Sequence, residues 1–348
     1  MLRSTAIALL SLVALSAGSG CYYGHLAIGQ SRLLWHRQPI DHLLDDVATP
    51  DELRERLRLV QDVRAYARAL GLAVDDQYTS YVAWPGDRVV TTLVATRPGE
   101  VEAAGFWFPI VGRVPYKGYF NREAADREAE VLRSRGLDVC VVPVAAYSTL
   151  GWLADPVTEP MLRDDDLALT ETLLHELVHA TAYVASDADF NEGVASFVGR
   201  EAAAGYLAER GLMRDERSPR ELEAEQRARN ADARQLDRQL RELRADVEIL
   251  YASTAAGDER NQRRSGLEAR ARRRLARLPL HRPDAVELAE RITLGDACLA
   301  LRGTYSDDLE RHAQILEALG GDLRAFVGRL SEAAKADVPR EAFFATTR

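Results

Sequence analysis

Leu173-Leu-His175-Glu176-Leu-Val-His179-Ala-Thr-Ala-Tyr-Val184 decides how the chain is read. The acidic run Asp164-Asp-Asp166 offers a cap just upstream, and the residues through Val184 are strongly helical in pattern. On a helix, side chains four apart lie one above the other on one face, so His175 and His179 can converge on a single point. Each imidazole can give a nitrogen to Zn²⁺. Glu176 lies beside the first histidine, where its carboxylate can take a proton from water on the metal. The surrounding Leu173, Leu174, Leu177, Val178, Ala182 and Val184 are apolar. Burying two histidines and a glutamate among them without a metal leaves polar groups unsatisfied, at a cost of several kcal/mol. The bland alternative is a histidine pair on a helix surface.

Two protein ligands are too few for a catalytic zinc, which takes a third and leaves one position open. Glu192 is the candidate, with twelve residues between it and His179. Ser186-Asp-Ala-Asp189 reads as a turn, so a second helix starting near Asp189 can run back and present Glu192. Glu192 also has a structural reading. Asp189-Phe-Asn-Glu192 has capping-box spacing, which would make Glu192 the N3 glutamate of a capped helix.

Outward from this segment the pattern changes. Residues 29–75 read as helical, with Ile40, Leu43, Leu44 and Val47 on one face and Leu53, Leu57, Val60 and Val63 on another. Val89–Val94, Phe106–Val111 and Val139–Val144 are short β-favouring runs set off by Pro and Gly, and predict one small sheet. A helix near Glu123–Arg135 interrupts them. Residues 200–285 are dense in Arg, Glu, Ala and Leu. Leu236, Leu240, Leu243, Val247 and Leu250 repeat at helical spacing, which predicts a helical hairpin with charged, solvated faces. A coiled coil for a protein partner is the sharper reading of the same stripe.

The chain has 348 residues, 45 Lys and Arg against 54 Asp and Glu, and a net charge of −9. That acidity argues against a nucleic-acid partner. Arg3, the apolar run Ala6–Leu15 and the small residues Ser16–Gly20 before Cys21 read as an export leader ending in a lipobox, with Gly18 as its departure from pattern. Cys21 is then the lipidation site. The expected location is the cell envelope, anchored to the bacterial membrane by lipid and facing the periplasm. A Cys140–Cys298 disulfide is permitted there but not implied.

Asn191-Glu192-Gly193-Val194-Ala195 resembles the second-helix motif of aminopeptidase N-type zinc enzymes, the gluzincins, with a shorter spacing from the histidines. Val114-Pro-Tyr-Lys-Gly-Tyr-Phe120, Ala145–Trp152, Asp155-Pro156, Phe190–Gly193, Thr304-Tyr305 and Gly320–Phe326 resemble a family of bacterial zinc aminopeptidases, many with lipoprotein-type leaders. Where that family has Asn-Asn-Ala, this chain has Gly295-Asp-Ala297. The resemblance implies an α+β, mostly α, zincin-like metallopeptidase fold with a small N-terminal β-sheet and a helical C-terminal half. It implies one zinc ion on His175, His179 and Glu192, Glu176 as general base, and a peptide substrate. Tyr305 is the expected oxyanion stabiliser, with Tyr251 in reserve. Tyr147, Ser148 and Thr149 are expected to pair with the substrate main chain as an edge strand. Asp155 and Glu159 are the available acids for a free α-amine.

The expected layout is a leader over 1–21 and one catalytic domain over 22–348. That domain divides into a helical segment (22–75), the sheet (76–150), the zinc-binding helices (151–200), a charged helical insertion (201–285) and C-terminal helices (286–348). The competing function is a non-catalytic envelope scaffold whose charged hairpin binds a partner.

Overall fold

The computed structural model describes residues 22, 24–108, 112–144, 149, 153–212, 215–306, 308–336 and 338–345, and of residues 304–306 the backbone alone. It is mostly helical with small sheets. Helix α1 (residues 24–35) leads into strand β1 (Gln38–Pro39), α2 (Ile40–Asp45) and α3 (Asp51–Leu70). The helical stretch expected over 29–75 is therefore broken. Pro39 and Pro50 lack the N–H that a helix interior needs, and each sits at the N-cap of the helix that follows. Leu57, Val60 and Val63 of α3 are buried, as their spacing predicts, and Gly71 ends the helix in the left-handed conformation.

Among the described residues, the β-rich region forms three small sheets rather than one. Strand β2 (Ser80–Val82) lies between β1 and β8 (Val157–Thr158). Strand β3 (Val90–Thr96) lies between β6 (Tyr116–Tyr119) and β7 (Asp138–Val144), antiparallel to both, with Leu93 opposite Val141. Strands β4 (Phe106–Phe108) and β5 (Gly112–Val114) form a separate hairpin. Gly105 and Gly112 at positive φ, and Pro115, punctuate this stretch before any strand grows long. The period-two alternation of β3 buries both faces of its sheet. Leu93 and Ala95 pack on Ala129 and Leu132 of α4 (Arg122–Ser134). Val94 faces Cys140 and the α11 residues Ala297, Cys298 and Leu301 (α11, Asp296–Ser306). A Cys140–Cys298 disulfide joins β7 to α11.

After the short α5 (Glu159–Leu162), α6 (Asp166–Thr181) and α7 (Ala188–Arg210) form the centre of the largest core. The boundary expected at residue 200 falls inside α7. Helices α8 (Pro219–Ser253) and α9 (Asp258–Leu275) make the expected hairpin. Leu240, Leu243, Val247 and Leu250 of α8 are buried with Leu267, Ala271 and Leu275 of α9, and Ala289 of α10 (Ala285–Arg291) joins them in a second core. The C-terminal α12 (Leu309–Ala318), α13 (Leu323–Ala333) and α14 (Pro339–Phe344) close around Phe190 and Phe197 of α7.

Candidate metal centre

Asp165 caps α6 by accepting from the Ala168 amide. Arg56 of α3 pairs with Asp166, tying the start of α6 to its neighbour. Leu169, Leu173, Leu174, Leu177 and Val178 are all fully buried, so α6 is enclosed on most of its surface and its few polar side chains must find partners inside. The helix ends where Thr181 turns its hydroxyl back to the Leu177 carbonyl and accepts from Ala73 N. Asn191 then holds the inter-helix turn. Its amide accepts from Val184 N at 2.9 Å and donates to Val184 O at 2.7 Å.

Asp187, not Asp189, caps α7, and its carboxylate accepts from Phe190 N. Phe190 is therefore the N3 residue, and the capping reading of Glu192 is set aside. The Glu192 carboxylate meets the histidines instead.

His175 Nε2 lies 3.2 Å from His179 Nε2. Glu192 Oε2 lies 3.3 Å from His175 Nε2 and 3.5 Å from His179 Nε2. Zinc bonds to nitrogen and oxygen of ~2.0–2.1 Å put tetrahedral ligands ~3.3–3.4 Å apart, so the three donor atoms stand at the edge lengths such a site requires. Among the described residues this is the one group of three or more such side chains able to hold a metal. Helices α6 and α7 come this close because of Gly199, where an added Cβ would lie 3.1 Å from His175 Cβ and 3.2 Å from Glu171 O.

The electrostatics suit a cation. Burial alone would raise the Glu192 carboxyl, but His179 and His175 outweigh it and hold Glu192 well below the usual carboxylate range. Burial alone would lower His179, and the Glu192 and Glu176 carboxylates reverse that.

Three tyrosines surround this group that sequence reasoning did not single out. Tyr116 of β6 donates to Glu192 Oε1 at 3.3 Å. Tyr78 is fully buried, and burial together with the Glu176 and Asp155 charges pushes its phenol well above the usual range. Tyr183 is raised by burial and by Glu192. Only Tyr116 had a signal, since it lies in one of the family-like segments. Tyr78 is a lone tyrosine at positive φ, with no local pattern to mark it.

Of the remaining expected residues, Tyr147, Ser148 and Cys21 lie outside the described residues, as does the side chain of Tyr305 on α11. Thr149 is committed to Asp155, donating to its carboxylate from the amide at 2.6 Å and from the hydroxyl at 2.9 Å. Asp155 is itself buried and serves that turn. Glu159 pairs with Arg163 at 3.0 Å. Tyr251 donates to Asp296 at 2.5 Å, where Arg264 also binds, and so joins α8, α9 and α11. No curated protein and no solved structure matches the chain. Residues 21–343 match the family described as "Putative aminopeptidase", and the chain belongs to that family.

Proposed function

We propose that the protein is a zinc-dependent peptidase of gluzincin type and zincin-like fold, trimming peptides from a free N-terminus. The observation that carries the reading is the His175–His179–Glu192 triangle, set between two helices with His179 and Glu192 buried and His175 half-buried, at tetrahedral edge lengths. When bound by these three residues, a zinc ion supplies Lewis acidity and lowers the pKa of water from ~15.7 toward neutrality.

The chain's own residues do the rest. Glu176, one position along α6 from His175, takes the proton of the attacking water and returns it to the departing amine. Tyr116 holds the second oxygen of Glu192, leaving Oε2 toward the histidines. Asn191 fixes the turn that sets α7 against α6. Tyr305 is the proposed oxyanion donor, and the segment after β7 that includes Tyr147, Ser148 and Thr149 is the proposed substrate-pairing strand.

The export reading gains support from the Cys140–Cys298 disulfide, since such bonds persist in oxidising compartments. Lipidation at Cys21, attachment to the membrane and a periplasmic site complete the proposal, with residues 22–348 as one catalytic domain. The coiled-coil reading of the hairpin, though not a scaffold that binds through its charged faces, needs a free apolar stripe. Leu240, Leu243, Val247 and Leu250 are instead covered within the molecule.

The test pairs zinc content with hydrolysis of peptides bearing free and acetylated N-termini, for wild type and Glu176→Gln. Stoichiometric zinc in both proteins is expected, with cleavage of free N-termini falling about 10²–10⁴-fold in the variant. A folded sample that takes up no zinc on reconstitution overturns the metal site. Cleavage unaffected by Glu176→Gln overturns the assigned base.

A further inference from the structure

The helix that follows the leader presents its apolar residues the wrong way for a water-surrounded body. Gly29 and Leu33 of α1 face inward, with Gly29 so close to the Phe120 ring that any side chain there would collide. The opposite stripe carries Ile28 and Trp35, seven residues apart and so on one face, which are 65% and 83% exposed. Arg32 lies between them on the same stripe, and Arg37 and His36 follow, all exposed.

The charge is equally one-sided. In a chain of net charge −9, the first acidic residue is Asp41, and residues 22–40 carry two arginines and two histidines with no carboxylate. An exposed Trp–Ile stripe flanked by arginines has the chemistry of a helix lying in a membrane interface. Tryptophan takes the headgroup boundary, the aliphatic side chain dips below it, and the guanidinium groups meet anionic phosphates.

The chain before α1 points to the same occupant. The apolar run Ala6–Leu15 and Cys21 stand immediately upstream, with no linker. Tyr22 is already fixed to the body. Its hydroxyl donates to Gly118 O at 3.0 Å, and its ring lies under the Lys117 ammonium at 4.4 Å. An anchor ending at residue 21 thus has no slack, and α1 is the first surface that the bilayer meets.

We infer that the exposed Ile28–Arg32–Trp35 face of α1 lies against a bilayer containing anionic phospholipid headgroups, and so fixes the orientation of the body above the membrane. The inference rests on the proposed membrane attachment and adds a second contact to it. Strand β6 links the inner side of the α1 segment, opposite that face, to the candidate metal centre. Tyr119 packs on Tyr22 and His25 at one end, and Tyr116 reaches Glu192 at the other, roughly 10 Å along the strand. Cleavage then takes place at a set, short height over the membrane.

The test uses the full chain, expressed with its leader and reconstituted into phosphatidylethanolamine–phosphatidylglycerol vesicles whose acyl chains carry bromine near the headgroup. Tryptophan fluorescence is read for wild type, Trp35→Phe and Trp107→Phe. Both tryptophans are highly exposed, so neither replacement threatens folding. Bromine quenching in wild type and Trp107→Phe that is lost in Trp35→Phe is the expected result. Absence of quenching in wild type, or quenching unchanged in Trp35→Phe, overturns the inference. Co-flotation with the vesicles reports the anchor separately. Flotation without Trp35-dependent quenching keeps the anchor and removes the α1 contact.

Discussion

Helices α6 and α7 and helices α8 and α9 are both hairpins joined by short turns, and they are held together by different means. The inner pair is apolar on most sides. Small residues, Ala195, Gly199, Ala202 and Ala203, let the backbones approach, and the histidines and Glu192 sit in the gap that the close approach creates. The outer pair buries one stripe and lays charge along the rest, with i,i+4 pairs such as Arg227–Glu223, Arg244–Glu248 and Arg272–Glu268. Exposed pairs of that kind contribute ~0–1 kcal/mol each. A buried pair of helices around polar side chains tolerates little change, because its neighbours are closely packed and its polar groups lie in an apolar surround.

The contrast can be broken or sharpened by experiment. Beyond the loss of activity expected for Glu176→Gln, the largest effect concerns pH. His312 of α12 is fully buried among Phe190, Phe197, Phe326, Phe343 and Phe344. Burial, aided by Arg340 and Arg311 and opposed by Asp308, lowers its pKa from 6.5 to about 4. The unfolded chain therefore takes a proton at this histidine below pH 6.5, and the folded chain only below about 4. Stability from this site is full above 6.5, falls between 6.5 and about 4, and falls no further below that. The drop is roughly 3 kcal/mol. Denaturant titrations across that range should show it, and His312→Leu should flatten the profile. An unchanged slope in the variant would mean that the aromatic enclosure does not control the titration.

Next in size is Gly199→Leu, which forces a side chain against His175 and the Glu171 carbonyl. Overpacking of this kind costs about 1–3 kcal/mol, and here it should also lower zinc stoichiometry by spreading the ligands. A variant with wild-type stability and full zinc would show that the helices are not held at closest approach. Tyr116→Phe removes the hydroxyl from Glu192 and should weaken zinc about tenfold in a competition titration while leaving the melting temperature nearly unchanged. The smallest effect belongs to the outer pair. Gly266 lies within α9 with open space where a Cβ would go, so Gly266→Ala should stabilise by about 0.5–1 kcal/mol. A loss there instead would mean that α9 is as tightly packed as α7.

Much of this could be read from the chain. HELVH and Asn191-Glu192 were legible because their meaning lies in helical spacing over a few residues. The α8–α9 hairpin was legible because its apolar stripe faces charge on every other side. Which aspartate caps α7 was not legible, since Asp187 and Asp189 both have the chemistry and only the path of the turn selects between them. One sheet was expected where three stand among the described residues, because local β-preference does not say which strands pair.

What the sequence by itself determined is a candidate donor set: two imidazoles one helical turn apart, a carboxylate beyond a turn, and a glutamate beside the first. Spacing along a helix is a property of the backbone, so it holds before the chain folds. The tertiary structure alone decided that Glu192 faces the histidines rather than its own helix end. It brought Tyr116 and Tyr78 to the same centre, and joined Cys140 to Cys298 across 158 residues. Those contacts link segments far apart in the chain. Their geometry comes from how α6, α7 and the β3 sheet pack, and no local pattern encodes it.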